Sequence, residues 1–239
     1  MLRHTGPQRN FKHNLRLAIL LGLNAGFING SGLMAFSILT TNVTGHAAQL
    51  AVDVATGQMA KARMVILWLL SFLAGAFFCG VISRVGRGKP FAYTAPILLI
   101  MAIIFLLAIS PSHNALSQKQ YWAASLLFAM GMQNALVTII SGAVVRTTHL
   151  TGMFTDLGTD LSNIILQGGK KNDTLRRRIV LRLNIIVFFI VGGIIGSILF
   201  LEYGFSAFYV SIGLLLIALF YDYFRMKVII SMRRKASRN

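Results

Sequence analysis

Thr40-Thr41-Asn42-Val43-Thr44-Gly45 and Thr147-Thr148-His149-Leu150-Thr151-Gly152 share the form T-T-x-aliphatic-T-G and lie 107 residues apart. A leucine (Leu50, Leu157) and an aspartate (Asp53, Asp160) recur at the same spacing. Each copy interrupts a hydrophobic segment with hydroxyls and a glycine, then places a carboxylate about two helical turns further on. Within a bilayer such an interruption is tolerated only where the backbone lines a cavity or packs inside protein. The pair is therefore the first candidate for a functional site.

The chain around it has 239 residues, is 56% apolar and has a mean hydropathy of +0.70. Several near-continuous apolar runs approach the roughly twenty residues needed to cross a bilayer. They extend from Leu15 to Phe224 and leave no polar block large enough to hold its own core. The expectation is an all-α polytopic membrane protein with one membrane domain over 1–239. Its hydrophobic segments are A (15–39), B (46–58), C (64–83), D (91–109), E (121–145), F (153–167), G (183–201) and H (205–224). Gly26 to Asn29 in A and Gly131 to Asn134 in E share the form G-x-x-N at a spacing of 105, so the order A-B-C-D recurs as E-F-G-H with one small insertion. The first repeat covers about 15–110, the second about 119–224, and a basic cytoplasmic tail 225–239.

The formal net charge of +17 does not indicate nucleic acid, because the Lys and Arg residues sit between and beyond the apolar runs. Segments B and F decide the topology. If they do not cross, six long spans put both termini in the cytoplasm of a plasma (inner) membrane protein, with only Lys61, Arg63 and Lys119 outside, 20 basic residues against 3. If they do cross, Arg84, Arg87, Lys89 and Arg146 lie outside instead, 19 against 4, so charge does not choose. Shortness, together with Gln49, Asp53, Asp156 and Asp160, favours two half-helices over full spans. Each repeat then crosses three times and the two are inverted, as in many secondary transporters. Cys79 is the only cysteine, so no disulfide forms within one chain.

An early span, T-x-N-V-T-G with a short helix, then Gly131-Met132-Gln133-Asn134-Ala135 leading to Arg146-Thr147-Thr148-His149-Leu150-Thr151-Gly152, resembles the YoaK-like family of bacterial integral membrane proteins. The resemblance covers nearly the whole chain and implies a membrane location and about six spans. It supplies no substrate and no catalytic residue.

Thr44 and Thr151 are the expected N-caps of B and F, with Gly45 and Gly152 letting a ligand approach the backbone. Helix N-termini attract anions, so Thr41, Thr44, Gly45, Thr148, Thr151 and Gly152, with the mid-span amides Asn29 and Asn134, form the expected site for a small polar or anionic solute. Asp53, Asp156 and Asp160, with His149, are the candidates for coupling or proton transfer, since buried acids in membranes mark ion and proton paths. Against this stands the plainer account, in which these residues cap, pack and hydrogen-bond two short helices. No metal site is expected, because the spacing of His46 and His149 is not diagnostic. No phosphate-binding loop, nucleophile elbow or HExxH occurs, so neither an enzyme nor a cofactor is expected. The expected function is a secondary transporter or permease contacting only lipid and solute, with a homo-oligomer left open. The alternative is a non-transporting scaffold or regulatory membrane protein.

Overall fold

The computed structural model describes residues 11–109, 116–166 and 172–221, so the basic tail at 225–239 lies outside the described residues. Every regular element among them is helical: α1 (Phe11–Phe36), α2 (Val43–Ala55), α3 (Met59–Val85), α4 (Phe91–Ile109), α5 (Leu116–Ser141), α6 (Leu150–Leu166) and α7 (Asp173–Tyr203). A 3-10 turn over Gly204–Ala207 then leads into α8 (208–221). Five stretches are long and apolar enough to cross a membrane: α1, α3, α4, Lys119–Ser141 of α5, and Asp173–Tyr221. The last is 49 residues long and is broken where Gly204 takes a positive φ of 57°.

Burial sorts these helices into two layers. The most apolar windows of α1 and α5 are each 67% buried, against 17% for α3 and 28% for α4. The outer helices therefore turn Leu73, Phe77, Ile194 and Ile198 outward, as lipid permits. The two central helices carry the polar residues instead. Ser211 Oγ donates to Asn24 Oδ1 at 2.7 Å, Asn24 Nδ2 to Gln133 Oε1 at 2.7 Å, and Gln133 Nε2 to the Leu21 carbonyl at 2.9 Å. All three side chains are fully buried, so this chain satisfies amides that lipid could not.

α1 packs chiefly on α7, and α3 on α5. Lipid gives helices no hydrophobic reason to associate, so close approach at small residues carries these contacts. A Cβ on Gly26 would lie 1.9 Å from the Phe189 carbonyl oxygen, and one on Gly131 would lie 2.1 Å from that of Phe72. Likewise a Cβ on Gly192 would meet the Leu23 oxygen at 2.1 Å, and one on Gly75 the Phe128 oxygen at 2.0 Å. Gly26 and Leu23 match Gly131 and Phe128 at a spacing of 105, while Gly75 and Phe72 match Gly192 and Phe189 at 117. One crossing is thus used twice. Between α1 and α5 the contacts run in opposite order: Asn24 meets Gln133, and a Cβ on Gly32 would meet Leu126 at 3.7 Å.

Three expected boundaries shift for local reasons. α2 and α6 begin at Val43 and Leu150, three residues before the expected starts at 46 and 153. α7 begins at Asp173, ten residues before the expected start of G at 183, because Asn172 accepts a hydrogen bond from Leu175 N at 3.1 Å and caps it. Its arginines therefore project from the first turns of a helix.

Candidate functional site

The two helix starts are built alike. Asn42 caps α2 through its side-chain oxygen, which accepts from Gly45 N at 3.0 Å. At the matching position, 107 residues on, the His149 carbonyl accepts from Met153 N at 3.1 Å. Thr44 and Thr151 are therefore not the caps; each lies inside the first turn. The glycines also do something other than expected. A Cβ on Gly45 would lie 2.5 Å from Asn42 Nδ2, and one on Gly152 would lie 2.3 Å from His149 Nε2. Each glycine makes room for the side chain three residues before it.

Between these starts lies an open cavity of about 440 Å³, lined by Thr41 to Thr44 and by Thr148 to Thr151. These are matching positions of the two copies, four from each. Phe72, Asn134, Thr138 and Arg146 complete the wall. Phe72 is the midpoint of α3, so the cavity lies at half the height of that helix. Two helix N-termini and one guanidinium face it, and no carboxylate lines it, so its field favours anions. Asn134 Oδ1 is buried without a hydrogen-bond partner at this wall. Asn29, its match in α1, is instead committed: its Oδ1 accepts from Thr41 N at 3.2 Å and from Thr41 Oγ1 at 3.0 Å.

The aspartates stand apart from this cavity and from each other. Asp53, 2% exposed, faces a second cavity of about 460 Å³ with Gln49, His46, Lys61, Val65 and Trp68. Gln49 Nε2 donates to Asp53 Oδ1 at 2.8 Å, while Asp53 Oδ2 has no partner. Asp160, 4% exposed, is held by two arginines of α7. Arg178 Nη2 lies 2.9 Å from its Oδ1, and Arg182 Nη1 pairs with its Oδ2. Arg182 Nη2 also reaches Asp156 Oδ2 at 3.0 Å. Arg146, His149, Asp156, Arg178 and Arg182 line a third cavity of about 410 Å³. Asn42 is shared by the first-repeat and central cavities, and Arg146 and His149 by the central and second-repeat cavities, so the three form a series.

Sequence reasoning missed the arginine pair. Arg178 and Arg182 precede the expected start of G at 183, and the available signal was their i, i+4 spacing, which matches that of Asp156 and Asp160. His46 is also placed by neighbours the sequence did not reveal: Nε2 lies 2.7 Å from the Leu39 carbonyl, and the ring centroid lies 5.5 Å from that of Trp68. Among the described residues, no three His, Cys, Asp or Glu side chains gather as metal ligands would.

Residues 17–221 match the model of a family described as "Protein of unknown function (DUF1275)". The chain is also 29% identical, over 187 residues, to "UPF0700 transmembrane protein YoaK" of Bacillus subtilis (strain 168), covering 75% of this chain and 80% of that protein. No solved structure matches.

Proposed function

The chain belongs to the DUF1275 family, a family of unknown function, and we propose that it is a small permease for an anionic or polar solute, without enzymatic activity. The observation that carries this is the central cavity, walled by matching residues of both helix starts. A solute anion there would meet backbone N-H groups of α2 and α6 and the Arg146 guanidinium.

The wider architecture follows from the same reading. Counting α7 and α8 as two crossings gives six spans, with α2 and α6 as half-helices. Their 13 and 17 residues reach about 20 and 26 Å, short of a hydrocarbon core of about 30 Å. The opposite order of the α1–α5 contacts and the repeated glycine crossing support inverted repeats. With both termini cytoplasmic in the plasma membrane, the Asp53 cavity opens outside and the Asp156 cavity inside. A solute then passes the three cavities in turn. Coupling falls to Asp53, whose carboxylate has a free oxygen, while Asp160 stays committed to its arginines.

Proteoliposome flux tests the proposal, with nitrate, phosphate, acetate and small neutral polyols as probes. At least one solute should enter faster than into empty vesicles, and Arg146→Ala should cut that flux about tenfold or more. Water-soluble thiol reagents should label Thr44→Cys and Thr151→Cys in a Cys79→Ala background. Absence of flux for every probe, combined with unlabelled cysteines in folded protein, would overturn a permease in favour of a scaffold.

A further inference from the structure

The two lateral cavities occupy matching places, and only in one of them is the buried aspartate paired with a cation of the chain. Around Asp160 the positive charge is internal, supplied by Arg178 and Arg182. The crossing on α3 and α7 sets the equivalence at 117 residues, so Lys61 stands for Arg178 and Val65 for Arg182. Val65 has no charge, and no ion pair joins Lys61 to Asp53, whose Oδ2 is buried and unpartnered. A 2%-exposed carboxylate thus faces a cavity of about 460 Å³ whose wall carries Lys61 but no cation paired with it. An uncompensated buried charge is strongly unfavourable, and a bound cation removes that cost.

We propose that this cavity binds a small organic monocation with N-H donors, an alkylguanidinium or a primary alkylammonium, in the place that the Arg182 guanidinium takes in the other half. Charge count argues for a single positive charge. Asp156 and Asp160 present two carboxylates to two arginines, whereas the matching Gln49 and Asp53 present one carboxylate and one amide. Gln49 spends its Nε2 on Asp53, which leaves its Oε1 as an acceptor for a second N-H of the ligand. The remaining wall suits the rest of such a molecule. Trp68 offers an aromatic face to a cation, and Leu39, Met64 and Val65 offer apolar surface to an alkyl chain. Sodium or potassium would find one carboxylate and few oxygens in a space much larger than an ion.

This site is separate from the central cavity, and its test reads binding, not flux. Purified full-length protein in detergent is titrated with propylguanidinium and propylammonium chloride. Sodium chloride, potassium chloride and tetramethylammonium chloride serve as controls at equal ionic strength. The readouts are melting temperature and Trp68 emission in a Trp122→Phe background, since the chain has two tryptophans. Propylguanidinium or propylammonium should bind saturably, the controls should not, and Asp53→Asn should weaken binding about tenfold or more. Val65→Arg supplies the guanidinium within the chain, so it should raise the melting temperature and abolish binding. Three results would each overturn the assignment: no saturable response in the unmodified chain, an equal response to sodium or potassium, or unchanged affinity in Asp53→Asn. If Asp53→Asn does not fold, Val65→Arg decides: full binding by that folded variant overturns the site.

Discussion

The two halves of this molecule use one backbone plan and divide its chemistry in opposite ways. In the first half the amide of Asn29 is tied to Thr41, while the carboxylate of Asp53 keeps one oxygen free. In the second half the matching Asn134 oxygen is unpartnered, while Asp160 is clamped by Arg178 and Arg182. The helix crossings, by contrast, are the same on both sides to within a few tenths of an ångström. The matching positions keep the contacts that let helices meet in lipid and vary the side chains that line cavities. What is equal between the halves therefore reports on folding, and what is unequal reports on function.

The largest expected effect tests the inequality. Asp160→Asn breaks the charge-assisted hydrogen bonds from Arg178 and Arg182, leaving Arg182, whose side chain is only 17% exposed, to Asp156 alone, and should cost about 3 kcal/mol. Asp53→Asn breaks no ion pair, and replaces a buried carboxylate that has one unpartnered oxygen by an amide. It should cost nothing and raise stability slightly. Unfolding in mild denaturing detergent, followed by tryptophan emission, gives both values. Comparable losses for the two variants would mean that the halves are electrostatically alike.

A second pair tests the equality. Gly26→Ala and Gly131→Ala each drive a methyl group into a carbonyl oxygen across a helix crossing, at 1.9 and 2.1 Å. Neither neighbour can move without parting the helices, so each should cost about 2 kcal/mol, at the level of core overpacking. The two losses should agree to within about 0.5 kcal/mol, the usual tolerance for equivalent but separate sites. If one variant is tolerated and the other is not, the crossings serve different purposes.

This division also explains what the sequence could and could not reveal. Helix D was expected at 91–109, and α4 spans Phe91–Ile109, because Pro90 and Pro111 bracket it chemically. The recurring motifs were legible for a similar reason: T-T-x-x-T-G and G-x-x-N are local patterns in the linear order. The site was only half legible. That α2 and α6 start at the motif followed from hydrophobicity, yet the side-chain cap of α2 fell to Asn42, which folds over Gly45. The clamp on Asp160 was hidden because charge near a span reads as topology until a helix phase is assigned to it. Nor could composition show that one oxygen of Asp53 lacks a partner. That fact depends on Val65, an unremarkable residue until it is laid over Arg182.

The smallest effect concerns where the halves first part. α1 ends at Phe36 and α5 at Ser141, and the next residues, Ser37 and Gly142, both adopt left-handed backbone, with φ of 57° and 63°. Those two match at a spacing of 105, whereas Thr40 and Thr147 match at 107, so the two added residues of the second copy lie between them. They change the helix ending. Ser37 N donates to Leu33 O at 2.8 Å, closing a single turn, while Ala143, also left-handed at 65°, donates to Thr138 O at 2.8 Å and closes a wider one. A left-handed conformation costs a residue with a side chain about 1 kcal/mol, and glycine escapes that cost. Gly142→Ala should therefore lose about 1 kcal/mol. Ser37→Gly should gain a few tenths, since relief of strain is offset in part by the freer unfolded chain. The same unfolding assay resolves the difference in sign. Losses of equal size from both changes would show that Ser37 is held by contacts its glycine counterpart does not need, and would place the divergence of the halves at this helix end instead of at the aspartates.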